Sequence, residues 1–294
     1  MSTASRLWLA AVVAVFIVCN LAFLSFDTVP PGHDEAVHMT VAFQFRDVLV
    51  AALHDSHLSI GWIRGLLRRL VSIDTWVYPP LFPLLAGWFL PGACSSVQCM
   101  SLMNIPFVLL LAATTLGIAR RIHQQSAGLA MTLLLCYPVV FAQSRHFMLD
   151  FAALAWTSAS VYLLLRSDGF ADPRFSLLFG ASVGVGALMK QTVVTALIPV
   201  TCYVSGAVLW RSRMGQPTLR ELGRRGLVGM AALALGATIA ASWYLPRYGS
   251  IMPATLSVAG MDNSAVARWE RPAYAPWASS ALLSNRRNEV IFCM

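Results

Sequence analysis

The stretch LWLAAVVAVFIVCNLAFLSF at residues 7–26 decides the fold class, because its twenty residues carry no charge and follow Arg6 directly. A helix needs about 20 apolar residues to cross the hydrocarbon core of a bilayer. The run is longer than the apolar core of a secretory signal, and Asn20-Leu21-Ala22-Phe23 is a poor cleavage site. Residues 1–26 are therefore predicted to form a retained signal-anchor helix.

Further apolar runs follow along the chain. Each must satisfy its backbone hydrogen bonds internally if it lies in lipid, and none shows the alternation of a barrel strand. Gly180, Gly184 and Gly186 interrupt the shortest run, which indicates either close helix packing or a re-entrant hairpin. The predicted fold is all-α and integral to the membrane, a multi-pass bundle of about seven transmembrane helices. The predicted spans are residues 7–26, 101–119, 126–143, 147–165, 175–189, 191–210 and 227–245.

The composition agrees with lipid as the main solvent, since 57% of the residues are hydrophobic and only 12% are charged. The net charge of +8 does not indicate nucleic-acid binding, because the 21 basic residues are scattered between apolar runs. Their placement instead predicts the orientation. With the N-terminus inside, the inner segments hold ten basic residues, whereas the short outer turns hold Arg145 and Lys190.

Residues 27–100 are then predicted to form a long outer catalytic loop that bears short interfacial helices. The stretch 62–70 contains Arg64, Arg68 and Arg69 among Trp, Ile and Leu, so it either lies on the membrane surface or packs as an ordinary surface helix. Cys94 and Cys99 are candidates for a disulfide, which their spacing alone does not establish. No His or Cys cluster has the spacing of a zinc site.

Residues 101–245 are predicted to be the transmembrane bundle and residues 246–294 a short outer tail. The character of the sequence changes after Trp277, which suggests a truncated or frame-shifted end.

Two carboxylates stand just beyond the first span. Asp34 and Glu35 follow Pro30-Pro31-Gly32, a rigid turn that keeps them close to the membrane face. A carboxylate there is able to act as a base on an acceptor while the lipid tail of a donor stays in the bilayer. Because most loop carboxylates are only solvated, the alternative is a pair without a catalytic task.

A second group of ionisable side chains lies at the outer turn after the third predicted span. His146 and Asp150 are four residues apart, so on a helix they share a face, and Asp150 either orients the imidazole or pairs with Arg145. The planar guanidinium of Arg145 suits phosphate oxygens. The alternative is a helix cap with an ion pair that tightens the turn.

Lys190 is the one lysine of the chain, and it ends the glycine-containing run 184–190 at the next outer turn. A lysine between two apolar runs is costly unless it is paired or near water. It either snorkels to the interface or binds phosphate beside Arg145.

In their order and spacing these segments resemble the lipid-linked-sugar glycosyltransferases of the GT-C superfamily, in the branch of protein mannosyltransferases and lipid A aminoarabinose transferases. The resemblance covers about residues 7–210. Its elements are the Asp34-Glu35 pair after the first span, the segment Tyr78-Pro79-Pro80-Leu81, the turn with Arg145 and Asp150, and the run that ends in Lys190.

The resemblance implies transfer of a sugar, with inversion, from a polyprenyl-phosphate-linked donor to a hydroxyl of a lipid, protein or polysaccharide acceptor. It gives Asp34 the role of base, and Glu35 that of positioning the acceptor or helping to bind a divalent cation. Some members of the superfamily use such a cation and others do not, and the resemblance implies no other cofactor. The leaving polyprenyl phosphate needs electrostatic stabilisation, which the resemblance assigns to Arg145 and Lys190.

The resemblance also implies supporting roles. Tyr78 would contact donor or acceptor, and His146 with Asp150 would anchor the site. An Arg-rich and Ala-rich chain without an organelle address favours a bacterial inner membrane with the site facing the periplasm. The expected partners are the sugar donor, the acceptor and membrane lipids, and nucleic acid is not expected.

Two other classes of function remain as alternatives. A transporter or permease also uses broken helices and intramembrane charges, but the sequence lacks an internal repeat and its ionisable residues gather at helix ends. A non-catalytic membrane subunit, or a truncated remnant, is the third reading, to which the short tail lends weight.

Overall fold

The computed structural model describes residues 3–54, 59–73, 75, 78–89, 96–214 and 218–249. Across these residues the chain is helical and contains no strand, which confirms the all-α prediction. A short 3-10 turn, Gln124–Ser126, precedes α7. The helices are α1 Thr3–Phe26, α2 His33–His54, α3 Ile60–Ser72, α4 Leu81–Phe89, α5 Val97–Ser101, α6 Asn104–Ile122, α7 Ala127–Leu135, α8 Pro138–Gln143, α9 Leu149–Arg166, α10 Pro173–Met189, α11 Thr192–Arg213 and α12 Leu219–Tyr244.

Five stretches of the described chain are long and apolar enough to cross a membrane, which confirms a multi-pass membrane protein. They are Leu7–Phe26, His33–His54, Gln98–Ile122, Thr192–Arg213 and Leu219–Tyr244. Four of them coincide with predicted spans, whereas His33–His54 lies in the segment predicted to be the outer loop. The other predicted spans correspond to α7 with α8, to α9, and to α10, a shorter apolar helix.

The described residues form two compact units. Unit 1 lies within Met1–Val29, Tyr78–Phe82 and Ser101–Trp243, and unit 2 within Pro30–Val77, Pro83–Met100 and Tyr244–Met294. Each unit has its own packing.

In unit 1, α6 and α9 run parallel. Thr114 Oγ1 lies 2.9 Å from Ser158 Oγ, and Arg121 further along α6 donates to the carbonyl of Leu165 further along α9. The chain between two parallel helices must return to the end where the first one began. α7 and α8 provide that return, so residues 126–143 do cross the unit, although they are not the single helix that the sequence predicted.

The break between α7 and α8 has a local cause. Tyr137 is extended, with φ −69° and ψ 124°, and Pro138 is the first residue of α8. A proline disfavours a helical residue before it and has no N–H to continue the helix. The proline therefore starts a new helix instead of extending α7.

α10 runs antiparallel to α9. Trp156 Nε1 donates to Ser182 O at 2.7 Å, and the Asp150 carboxylate at the start of α9 meets Lys190 at the end of α10. Since α10 accompanies α9 from end to end, the alternative of a re-entrant hairpin is wrong.

The glycines of α10 mark close packing, as the other alternative predicted. A Cβ on Gly180 would lie 2.0 Å from Ala232 O, and one on Gly184 would lie 2.6 Å from Gly236 O, both on α12. Only glycine permits this approach of two backbones, which is a common way for helices to associate in membranes.

These contacts give unit 1 two distinct ends. The Lys190 end consists of the C-terminus of α1, the loop 144–148, the first turns of α6 and α9, and Lys190 itself; Ser144 joins α1 there through Asn20 at 2.9 Å. The Asp168 end consists of the loop 167–172, the C-termini of α6 and α11, and the N-terminus of α12, where Arg225 Nη1 donates to Asp168 O at 3.0 Å.

Unit 2 is held by a small apolar core. Val41 and Phe45 of α2 pack on Ile73, which follows α3, and Leu70 of α3 and Leu84 of α4 pack against them. Gly87 permits α4 to approach α2 closely, since a Cβ there would lie 2.8 Å from Ala42 O. α3 confirms a helix at the predicted amphipathic stretch, and Ser59 accepts a capping bond from Trp62 N.

Two sequence expectations concern segments at the edge of the described chain. Cys99 is disulfide-bonded, whereas Cys94, the other candidate for that bond, lies outside the described residues. Residues 250–294 also lie outside them, and with them nearly all of the predicted tail.

Candidate active site

Arg145 lies at the Lys190 end with its guanidinium against two aromatic rings. Its Cζ is 3.8 Å from the ring centroid of Phe23 and 4.4 Å from that of Phe141. Its Nε is buried and has no hydrogen-bond partner among the described residues. The two rings support the cation without using its N–H donors, so the planar donor fork stays available for an anion.

Asn104 fixes the loop that carries Arg145. This side chain is 1% exposed, and its Nδ2 lies 3.1 Å from Ser144 O and 2.7 Å from His146 O, on both sides of Arg145. Ser144 Oγ in turn lies 2.9 Å from Asn20 Oδ1 on α1. The loop is therefore pinned to two helices by buried hydrogen bonds, which are strong constraints in a low-dielectric interior.

Sequence reasoning missed Asn104. The available signal was an amide at the start of an apolar run, two residues before Pro106.

Lys190 and Asp150 form an ion pair in which Nζ lies 2.6 Å from Oδ1. Lys190 ends α10, its side chain is 19% exposed, and Asp150 lies in the first turn of α9. The antiparallel packing of α9 and α10 brings these two residues together. The suggested pairing of Asp150 with Arg145 is therefore wrong, because the carboxylate faces α10. An ammonium has three donors, so Lys190 keeps two for a second anion.

Tyr78 and His146 lie in segments that belong to the same end. Tyr78 is half-buried and precedes Phe82, whose ring centroid is 4.9 Å from that of Phe147 and 5.9 Å from that of Phe107. His146 is exposed, and its backbone carbonyl accepts the bond from Asn104. Unit 1 thus gathers five of the seven predicted site residues at one end.

Asp34 and Glu35 belong to unit 2, where they lie in the first turn of α2. Glu35 is 9% exposed, and its Oε2 accepts a hydrogen bond from Gly32 N at 3.1 Å, as a residue that caps a helix N-terminus does. Asp34 is exposed. Within the described residues no group of three or more His, Cys, Asp or Glu side chains is arranged to hold a metal, so the structure adds nothing to the suggested cation site at Glu35.

Residues 78–241 match the profile of the dolichyl-phosphate-mannose-protein mannosyltransferase family, and this range is more than half of the chain. The chain belongs to this family. It is therefore a multi-pass membrane glycosyltransferase of the GT-C type, as the resemblance in the sequence implied. Searches of curated proteins and of solved structures gave no significant match.

The range that this mannosyltransferase family matches begins at Tyr78 and includes Arg145, His146, Asp150 and Lys190. Asp34 and Glu35 precede it. The family assignment therefore rests on unit 1 and the segments around it. The proposed roles of Asp34 and Glu35 rest on the sequence resemblance and on the geometry of these two residues.

Proposed function

We propose that the chain transfers a sugar from a polyprenyl-phosphate donor to a hydroxyl acceptor, with inversion at the anomeric carbon. Asp34 removes the hydroxyl proton, and the oxygen then attacks the anomeric carbon from the face opposite the phosphate. The bond from this carbon to the phosphate oxygen breaks, and its electron pair leaves with the polyprenyl phosphate. The observation that carries the proposal is Arg145, whose donor fork is supported by two rings and bonded to no described residue.

The anion that the site must stabilise is the departing lipid phosphate. Arg145 offers two parallel N–H groups to it, and Lys190 offers the two donors that Asp150 does not use. Asp150 neutralises part of the lysine charge, so the end keeps a net positive charge without leaving an isolated cation near lipid. Arg145 and Lys190 thus stabilise the charge that develops on the leaving group.

The two carboxylates differ in what they are free to do. Glu35 is buried and bonded to the backbone of Gly32, so it organises the start of α2. Asp34 is exposed and has no hydrogen-bond or ionic partner among the described residues. A carboxylate without such partners is better placed to accept a proton, which supports Asp34 as the base and Glu35 as the residue that holds the turn.

The orientation proposed from the sequence gains support from the two ends of unit 1. The loops between the helices of unit 1 hold two basic residues at the Lys190 end, Arg145 and Lys190. The Asp168 end and the segments that leave it hold Arg120, Arg121, Arg166, Arg174, Arg211, Arg213, Arg220, Arg224 and Arg225. The positive-inside rule then places the Asp168 end in the cytoplasm and the Lys190 end outside.

The proposal of an outer side extends to α2. Residues 27–100 leave unit 1 after α1 and return to it before α6, both at the Lys190 end. If α2 crossed the membrane, another helix would have to bring the chain back, and the other helices among the described residues of this segment, α3, α4 and α5, have 13, 9 and 5 residues. We therefore propose that α2 lies with Asp34 in the outer catalytic segment 27–100.

The disulfide at Cys99 fits an oxidising compartment, because such bonds persist outside the cytosol. Together with the composition, this supports a bacterial inner membrane with the site facing the periplasm.

The test is transfer of radiolabelled sugar from a polyprenyl-phosphate donor in membranes that contain the chain. Asp34→Asn should lower turnover about a thousandfold, since a positioned base commonly contributes 10²–10⁴-fold. Asp47→Asn is the matched control on the same helix, because Asp47 is exposed and pairs only with its neighbour Arg46 among the described residues. Asp47→Asn should leave turnover unchanged.

Anomeric configuration of the product, read by NMR, tests the stereochemistry separately. An inverted product supports single displacement, whereas a retained configuration would contradict it. Equal transfer by the wild type and Asp34→Asn would remove Asp34 from the role of base.

A further inference from the structure

α1 carries one amide side chain in an otherwise apolar span. Residues 7–26 contain a single amide, that of Asn20, and this side chain is buried, with 6% of its surface exposed. Because lipid tails are as apolar as leucine, hydrophobicity gives such a helix no preferred face toward its neighbours. Specific contacts must then fix the rotation of α1, and a single buried asparagine specifies register in packed helices.

The Asn20 amide has a defined direction. Its Nδ2 donates to Phe16 O at 2.9 Å, one turn earlier on α1, so its Oδ1 is turned toward Ser144, whose Oγ lies 2.9 Å away. The Phe16 ring also packs edge-to-face on Phe141 of α8, with ring centroids 5.4 Å apart. α1 is therefore held against α8 and the loop that follows it by a polar contact and an aromatic contact one turn apart.

The Ser144 hydroxyl joins the two helices whose rings support Arg145. Its oxygen lies 2.9 Å from Asn20 Oδ1 on α1 and 2.9 Å from Phe141 O on α8. α1 contributes the ring of Phe23 to the guanidinium, and α8 contributes that of Phe141. Phe23 follows Asn20 by three residues, so the two side chains lie about 60° apart around the helix axis. A slip of α1 by one residue, a turn of about 100°, would carry Phe23 away from Arg145.

We propose that Asn20 is a positioning residue, which fixes the rotation of α1 so that Phe23 stacks on Arg145. α1 then forms part of the wall of the donor-phosphate site, although it precedes the range 78–241 that the family profile matches. Membrane insertion is therefore only one of its two tasks. This role rests on the proposed function, in which Arg145 binds the donor phosphate.

Asn20→Leu separates this role from insertion and stability. Leucine makes α1 more apolar, so the helix should still insert. The substitution also leaves the Ser144 hydroxyl with an acceptor, because Phe141 O remains 2.9 Å away. The unfolding midpoint in detergent should therefore fall by only about 2–4 °C, the shift expected for the loss of one hydrogen bond.

The position of the Phe23 ring is measured by fluorine NMR, with 4-fluorophenylalanine in place of Phe23 in the full chain. The fluorine chemical shift responds to a cation against the ring, so the wild type and Arg145→Gln give the two reference values. In Asn20→Leu the shift should move at least about half of the way to the Arg145→Gln value, since the ring then leaves the cation.

Two outcomes of the fluorine measurement would overturn the positioning role, and neither depends on sugar transfer. A shift in Asn20→Leu that stays at the wild-type value would mean that Asn20 does not place the ring. Equal shifts in the wild type and in Arg145→Gln would mean that Phe23 does not contact the cation.

The kinetic test is sugar transfer with donor and acceptor varied separately. Asn20→Leu should raise the KM for the polyprenyl-phosphate donor about fivefold and lower kcat about tenfold, because a displaced Arg145 binds and stabilises the phosphate less well. The KM for the acceptor should stay unchanged. A smaller folded fraction would lower the apparent kcat and leave both KM values unchanged, so that result would contradict the positioning role.

Cys19 provides matched controls, because it is the neighbouring residue on α1 and is exposed. Cys19→Leu should keep the wild-type constants. Cys19→Asn with Asn20→Leu retains one amide in α1 but moves it about 100° around the helix, so it should behave as Asn20→Leu does. Wild-type constants in this double variant would show that polarity alone is sufficient, and the positioning role would fall.

Arg145→Gln in the same assay distinguishes this role from the proposed function. If Arg145→Gln loses transfer while Asn20→Leu keeps the wild-type constants, the positioning role is wrong and the proposed function stands. If Arg145→Gln transfers sugar as the wild type does, the proposed task of Arg145 is wrong, and the role of Asn20 falls with it.

Discussion

Arginine serves different purposes at the two ends of unit 1. At the Asp168 end, Arg121 donates to the carbonyl of Leu165 and Arg225 to that of Asp168. At the Lys190 end, the Arg145 side chain stacks on Phe23 and Phe141 and hydrogen-bonds to no described residue. Arg145 and Arg225 both have a buried Nε without a partner, so the difference lies in their Nη groups.

The comparison separates two roles of arginine at the helix ends. An arginine that donates to loop carbonyls completes the backbone hydrogen bonding of a helix end, so its loss should lower stability. An arginine whose guanidinium stacks on aromatic rings, and whose N–H groups bond to no described residue, is able to bind a ligand. Its loss should therefore lower activity. Four sets of substitutions test this distinction between the two ends.

Arg145→Gln should have the largest effect, a fall in turnover of about 10²–10³-fold, because it removes a charged donor from the leaving phosphate. Arg145→Lys should recover little, since an ammonium does not reproduce the planar fork. The measurement is sugar transfer at saturating donor, with Arg166→Lys at the opposite end as the control. Unchanged turnover in Arg145→Gln would assign Arg145 to structure.

Lys190→Met should lower turnover by about tenfold, the smaller loss that fits a cation already shared with Asp150. Asp150→Asn should have a weaker effect, because Lys190 keeps its charge. The double variant Asp150→Asn with Lys190→Met separates the roles, since it removes both charges together. Its thermal midpoint should approach that of the wild type while its turnover stays as low as that of Lys190→Met; recovery of turnover would mean that the pair is structural only.

Asn104→Leu should lower both stability and turnover. It removes one buried and one partly buried hydrogen bond to the loop carbonyls, a loss of about 2 kcal/mol, and releases the loop that positions Arg145. Thr114→Val, further along α6, is the matched control because it loses the contact with Ser158 but does not touch the loop. The unfolding midpoint of Thr114→Val in detergent should fall, whereas its rate of sugar transfer should stay at the wild-type value. If both variants lose turnover in proportion to stability, Asn104 has no positioning role.

Arg225→Gln should have the smallest effect, a loss of about 1 kcal/mol with turnover retained, because one hydrogen bond to a partly exposed loop is removed. The loop it supports has three consecutive residues with positive φ, Asp168, Gly169 and Phe170 at 50°, 63° and 65°. A scan of thermal unfolding beside sugar transfer measures both quantities. A selective loss of transfer would contradict the division between the two ends.

The helices that hold unit 1 together were predictable where the apolar run was long and uninterrupted, as in Leu7–Phe26. The break at Tyr137-Pro138 was not predicted, although the proline that causes it stands in the sequence. The sequence predicts a loop where α2 forms, because Asp34, Glu35 and His38 lower the hydropathy of this segment, whereas its apolar residues Val41 and Phe45 build a core.

The sequence predicted which residues lie at the candidate site better than it predicted the contacts between them. Arg145 and Lys190 attract attention because charges beside apolar runs are costly. The ion pair of Lys190 with Asp150 joins residues forty positions apart, so it depends on the antiparallel packing of two helices. The role of Asn104 was not predictable from the sequence either, because it depends on contact with a loop about forty residues further along the chain.

The contact between α10 and α12 affects how the tolerance of this chain to substitutions is interpreted. Gly180 and Gly184 meet the backbone of α12 directly, so no side chain there is able to adjust. A saturation-mutagenesis map would therefore show these positions as intolerant as any residue that touches sugar, although Gly180 lies in the middle of a helix. Intolerance at such a place measures the space between two backbones, and only a separate assay of abundance would distinguish it from chemistry.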